Sequence, residues 1–212
     1  MDRMDKEAIF GACTRMRHDT ADWLETLDEA ALDTPSLCSG WAVRGVAGHL
    51  IASVSAPLSQ LLLHTVRSGF NPHRANVTMG RERGAHTGPD LATTLRRHAD
   101  VELSVPVVGV HGPFTDLVVH NADMRVPLGA PWEPDPVWAT ECLAFVGKGA
   151  LGFTARKRLA GLRLVATDSS YVAGQGAELS GPAYSLLLAL CGRAVGLERL
   201  DGPGRDLLAA RL

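Results

Sequence analysis

Val43-Arg44-Gly45-Val46-Ala47-Gly48-His49-Leu50-Ile51-Ala52-Ser53-Val54 places apolar residues at helical intervals. Val46, Leu50 and Val54 stand four apart, and Leu58, Leu61 and Leu62 continue the series, so the spacing predicts one helix from about Val43 to Arg67. Pro57 falls where a kink is expected. His49 interrupts this face, between Val46 and Leu50, on the side that must turn inward. A buried imidazole needs a partner, which is either a hydrogen-bonding group or a metal ion.

A second stretch offers such partners. Phe114-Thr115-Asp116-Leu117-Val118-Val119-His120-Asn121-Ala122-Asp123 puts Asp116 and His120 four apart, on one helix face, within an otherwise apolar run. His49, Asp116 and His120 together make two imidazoles and one carboxylate, which can hold a divalent ion and leave room for water or substrate. From the residues alone, a hydrogen-bonded Asp116–His120 pair satisfies both groups as well as a metal does.

The rest of the chain is read outward from these two helices. Residues 5–27 form an amphipathic pattern through Ile9, Cys13, Met16, Trp23 and Leu24, and Asp28 to Ser39 connects it to the second helix. Residues 68–90, rich in Gly, Asn, Pro and His, read as a long loop with a short helical piece near 74–83. A third helix is expected from Pro89-Asp90 to about Val101. The fourth starts near Pro113, a first-turn residue, and ends by Pro127-Leu128-Gly129. Four helices with two long connections suggest an antiparallel four-helix bundle. Val126 to Pro136 carries Pro127, Pro131, Pro134 and Pro136 and reads as a linker. Beyond it, a helix from Val137, an alternating strand at Leu162–Thr167, short strands at Tyr171–Gly174 and Glu178–Ser180, a helix from Gly181-Pro182 to about Val195 and a last helix at 205–212 describe a small α+β unit. The expected domains are therefore 1–130, the bundle, and 131–212, the small α+β domain.

Composition excludes several function classes. With 21 Lys and Arg against 23 Asp and Glu, the net charge of −2 offers no electrostatic footprint for nucleic acid or an anionic membrane. Leu50 to Val66, the longest apolar stretch, contains Ser53, Ser55, Pro57, Ser59, Gln60 and His64, too much polarity for a membrane span. Cys13, Cys38, Cys142 and Cys191 form no CxxC pair and no disulfide framework. The charged N-terminus is not followed by a signal-type apolar run. A cytoplasmic protein is expected, as a monomer or homodimer.

Motifs carry the reading further. Trp41-Ala42-Val43 followed by Val46-Ala47-Gly48-His49-Leu50 resembles the W-x-V-x-x-V-x-x-H-L signature of the mycothiol-dependent maleylpyruvate isomerase family, within the DinB-like superfamily. Asp116 to Gly129 is similar to that family's D-x-x-x-H-x-x-D-x-R-x-P-L-G segment. Leu164 to Asp168, Gly174-Gln175-Gly176, Gly181-Pro182-Ala183 and Gly192-Arg193 resemble its sterol-carrier-like C-terminal domain. The resemblance implies a mainly α protein: an N-terminal DinB-like four-helix bundle followed by a small α+β C-terminal domain. It also implies a divalent metal, most often zinc, on His49, Asp116 and His120, and mycothiol as thiol cosubstrate. The activity implied is isomerisation, or S-transfer of the thiol to an electrophilic small molecule; the alternative is a non-catalytic metal- or small-ligand-binding protein of the same fold. The characterised isomerase type has glutamate where this chain has Asp116, a difference of one methylene, or about 1 Å of reach. Trp41 is expected to staple the second helix, and Asp123 and Arg125 to fix the end of the fourth through a salt bridge or a hydrogen bond to a ligand.

Overall fold

A computed structural model describes residues 3–56, 72–130, 132–154 and 156–212, with backbone alone for 72–77. The protein is mainly helical with a small sheet near its C-terminus, as the sequence predicts. Its residues fall into two compact units, one of Phe10–Leu103 with His120–Trp132, the other of Met1–Ile9, Ser104–Val119 and Glu133–Leu212.

The first unit begins with α1 (Lys6–Glu25) and the single turn α2 (Glu29–Leu32), capped by Asp28, whose carboxylate accepts the Ala31 N–H. The helix of the opening stretch, α3, spans Val43–Ser55. It is shorter than its periodicity suggests. Ala56 is extended, at φ −76° and ψ 126°, as the residue before a proline prefers to be. Leu58, Leu61 and Leu62 lie outside the described residues.

Part of the expected 68–90 loop is helical: α4 covers Pro72–Gly84, and α5 follows at Gly88–Arg97. The predicted piece near 74–83 is thus a full helix. Its glycines explain its packing. A Cβ on Gly48 would stand 2.1 Å from the Gly80 carbonyl oxygen and 2.5 Å from the Gly84 nitrogen. One on Gly84 would stand 2.3 Å from the Arg44 carbonyl oxygen. Hence α3 and α4 lie backbone against backbone, a packing open only to glycine at these positions. Arg44 secures the end of the pair. Its guanidinium binds Glu29 and Asp33, each at 2.6 Å, and reaches the Gly84 carbonyl at 3.2 Å.

Buried Arg17 on α1 donates to the carbonyls of Ala99 and Val101 at 2.7 and 2.8 Å, satisfying the chain just past α5. Burial lowers its pKa from the ordinary arginine value. Helix α6 runs from His111 to Arg125 and continues into a 3-10 turn at Val126–Leu128 that Gly129 ends in the left-handed region, φ 64°. Its last turns belong to this unit. Thr20 donates to Asn121 Oδ1 at 3.1 Å, and the Arg125 guanidinium lies 4.4 Å from the Trp23 ring centroid.

The second unit holds the first turns of α6, α7 (Pro136–Val146), the short α8 (Arg156–Leu159), the sheet, α9 (Ala183–Leu190) and α10 (Gly204–Ala209). The strands are β1 (Leu162–Ala166), β2 (Val172–Gly174) and β3 (Ala177–Gly181), in order β2-β1-β3. β1 pairs antiparallel with β2, Leu164 opposite Ala173, and parallel with β3, Leu164 opposite Leu179. Leu162, Leu164 and Ala166 alternate onto the buried face, where α9 buries Leu186, Leu187, Leu188 and Leu190. Gly192, Arg193 and a 3-10 turn at Ala194–Arg199 follow α9 where a continuous helix to Val195 was expected. Leu190 is the last residue of its regular part, and Gly192 takes φ 90°, a left-handed value that stops the helix.

Candidate metal centre

Two helices and one tight loop build the site. α3 presents His49, whose flanking Gly48 is locked against α4. α6 presents Asp116 and His120 one turn apart. The loop between Pro35 and Ala42 closes by a bridge between those two residues, with Ser36 N–H donating to the Trp41 carbonyl at 2.9 Å. Its backbone is tied to α6 by the Leu37 N–H, which donates to the Asp123 carbonyl at 3.0 Å.

The imidazoles of His49 and His120 meet edge to face, with ring centroids 5.1 Å apart. One ligand atom each from His49, Asp116 and His120 lies within 4.8 Å of the others, and all three side chains are partly buried. A tetrahedral ion with bonds of about 2.1 Å holds its ligand atoms about 3.4 Å apart, inside the 4.8 Å bound within which these atoms lie. The donor set is hard-to-borderline, N, N and O, and suits a divalent ion of the zinc type. The structure therefore brings together all three residues singled out from the sequence.

The loop touches both histidines. Trp41 stands edge-on to His49, centroids 5.8 Å apart, and its ring covers Gly45 and Gly80. The expected staple is thus also the wall behind a candidate ligand. Cys38 reaches the other side. Its Sγ is 3.2 Å from Asp123 Oδ2 and 3.9 Å from His120 Nδ1. Asp123 Oδ2 in turn is 2.8 Å from His120 Nδ1, and the carboxylate is fully buried. Cys38, His120 and Asp123 form a second cluster of ligand-type atoms that shares His120 with the first.

Cys38 was missed by sequence reasoning. Its signal was its place three residues before Trp41, which only the turn converts into proximity. Arg125, expected at the helix end, is there: its Nε donates to Asn121 Oδ1 at 3.2 Å, and it is 8 % exposed.

Residues 13–106 match the family model of the mycothiol maleylpyruvate isomerase N-terminal domain. The match includes Cys38, Trp41 and His49 and stops short of Asp116 and His120. Two solved structures resemble the whole chain: the mycothiol-dependent maleylpyruvate isomerase, at 16% identity and TM-score 0.66, and a histidine-to-alanine mutant of it, at 15% and 0.67, each alignment covering 96% of both chains. At that identity the likeness to the isomerase establishes the shared fold. No curated protein matches the sequence. No helix among the described residues is long and apolar enough to cross a membrane.

Proposed function

We propose that this protein is a metal-dependent enzyme of the mycothiol-linked type, with a divalent ion, zinc first, held by His49, Asp116 and His120. The observation that carries the reading is the convergence of these three side chains from α3 and α6, in a chain whose residues 13–106 match the N-terminal domain model of the isomerase family. When bound, such an ion supplies Lewis acidity and lowers the pKa of a thiol that meets it. The residues of the chain provide the rest. Three protein ligands leave a coordination position for the cosubstrate. Trp41 backs His49 and fixes its ring plane.

The cosubstrate we assign is mycothiol, and the partner an electrophilic small molecule. Addition of the thiolate across an activated C=C forms one S–C bond at the expense of the π bond, whose electron pair passes to the conjugated carbonyl; rotation about the resulting single bond and expulsion of the thiolate restore the π bond as an isomer, whereas protonation of the carbon from the thiol's released proton retains the thioether. The protein acts in the cytoplasm, as a monomer or homodimer, with residues 1–130 as the metal-binding domain and 131–212 as the accessory one.

The test incubates protein purified without chelator with mycothiol and a panel of electrophiles, following free thiol and product. Zinc-dependent turnover, lost in H49A and H120A, is the expected result. Metal binding with no thiol-dependent product from any electrophile would replace this reading with that of a binding protein.

A further inference from the structure

We propose that Arg158 and Thr154 form a binding site for the carboxylate of a small organic acid, at the cavity of about 250 Å³ that Gly152, Phe153, Thr154 and Arg158 line. All four residues belong to the second unit, and the inference does not depend on the metal reading.

Three pieces of chain build the cavity. The Ala150 carbonyl accepts the N–H groups of Phe153 and Thr154, at 3.2 and 3.3 Å, and so fixes a turn. The Phe153 ring meets Phe145 of α7 edge to face, with centroids 5.5 Å apart. Arg158 comes from α8, whose end is tied down by Arg211: its Nη1 donates to the carbonyls of Arg158 and Ala160 at 3.2 and 2.7 Å. The Arg158 guanidinium lies against Gly192, just past α9, where a Cβ would stand 3.0 Å from Nη2 and 3.1 Å from Nη1. Glycine leaves this seat open.

The charge seated there is not matched. An arginine side chain has five N–H donors and no acceptor. Nη1 donates to the Leu190 carbonyl at 3.4 Å, a long hydrogen bond, and among the described residues no carboxylate pairs with the guanidinium. Capping of α9 through Leu190 explains Nη1 alone. The Arg158 Nε and the Thr154 Oγ1 are covered from bulk water and have no hydrogen-bond partner, which is costly for both.

Both groups can donate, and both residues line one cavity. What satisfies them is an acceptor, and beside an unpaired guanidinium it is an anion. A carboxylate supplies two oxygens, one for each donor, while Phe153 offers its carbon skeleton an apolar wall. The volume is below the roughly 300 Å³ at which sites for drug-sized ligands begin, so the acid is small. Because both donor atoms are covered, uptake requires the Arg158 side chain to shift toward the cavity, which its one long hydrogen bond permits.

The experiment titrates the full chain, labelled with 15N, with sodium propionate at constant ionic strength. It follows the Arg158 Nε–H signal, assigned by its loss in R158K, and the Thr154 amide. A saturable shift of both is expected, with a Kd on the order of 1 mM. R158K keeps the charge and loses the Nε–H; read at the Thr154 amide, it should bind at least about 10-fold more weakly. T154V, nearly isosteric, should weaken binding about two- to tenfold. Propionamide, without the charge, should not bind. Unchanged far-ultraviolet circular dichroism checks that both variants fold; if R158K does not, T154V and the wild-type titration decide.

No saturable shift with tens of millimolar propionate overturns the inference and leaves an ordered water as the partner of both groups. Propionamide binding as well as propionate overturns the ionic pairing. Inorganic phosphate binding where propionate does not overturns the ligand class. Propionate that binds without moving the Arg158 signal, as it would on a metal ion, overturns the location.

Discussion

His120 Nδ1 lies 2.8 Å from Asp123 Oδ2, one turn along the same helix, while the ring of His49 stands nearly perpendicular to the same imidazole at a centroid distance of 5.1 Å. One histidine is thus held by a buried acid and packed against a second histidine. That is the geometry of a ligand with a fixed orientation.

Removing either imidazole should empty the centre. H49A and H120A, purified without chelators, are expected to hold below about a tenth of an equivalent of zinc by elemental analysis, where wild type holds about one. D116A should bind zinc at least about 10-fold more weakly, since a charged ligand is lost. W41F keeps an aromatic wall beside His49 and should retain the metal. Wild type with no metal, unrestored by added zinc, contradicts the assignment.

Chelation tests the rival account, in which Asp116 and His120 satisfy each other. An ion that binds only the native state at 100-fold over its dissociation constant adds about 2.7 kcal/mol. For a chain of this size that is a fall in Tm of about 5–10 °C on metal removal, followed by differential scanning calorimetry. An unchanged Tm favours the metal-free pair.

The helix contact through Gly48 predicts a steep cost. In G48A the new methyl meets the Gly80 carbonyl at 2.1 Å, and both neighbours are backbone, so the helices must part. Loss of about 3 kcal/mol or more is expected in urea unfolding, with weakened zinc binding because His49 moves with its helix. G129A is the control. Gly129 sits at φ 64° with open space around it, so only the left-handed strain remains, about 1 kcal/mol. Equal losses in the two variants would refute the backbone-contact account.

Alkaline pH should destabilise the protein through Cys13. Burial pushes its thiol from 9.0 up to about 11, against a smaller opposing effect of the Arg17 charge. Between those values the native state keeps a proton that the unfolded chain releases. The stabilisation is therefore whole below pH 9 and falls as pH rises toward 11, at up to about 1.4 kcal/mol per pH unit. C13A should show a shallower decline over that window in denaturant titrations at stepped pH. Parallel curves for the two proteins would remove Cys13 as the cause.

Helix positions were legible because they are written in periodicity. Val46 and Leu50 marked the inner face of α3, Pro113 and Gly129 bounded α6, and the alternation at Leu162–Ala166 announced β1. Helix α4 was read only as a short helical piece near 74–83 within a loop, because its contact surface is glycine. Gly80 and Gly84 carry no hydrophobic signal, although they let two helix backbones meet. Its polar composition, with Arg81, Glu82 and Arg83, read as loop for the same reason.

By itself the sequence determined the helical frame, the inward phase of His49 and the i, i+4 pairing of Asp116 with His120, because these follow from local spacing along one helix. Only the tertiary structure decided that α3 and α6 face each other through those residues, that Cys38 shares the Asp123 carboxylate, and that Trp41 backs His49. Two of these relations join distant parts of the chain, His49 with His120 and Cys38 with Asp123, the latter 85 positions apart, and the third joins a loop to a helix, so no period within a helix encodes them. The same holds for the seat of α3 on α4, which is settled by how closely two backbones can approach, here by the absence of a Cβ at Gly48.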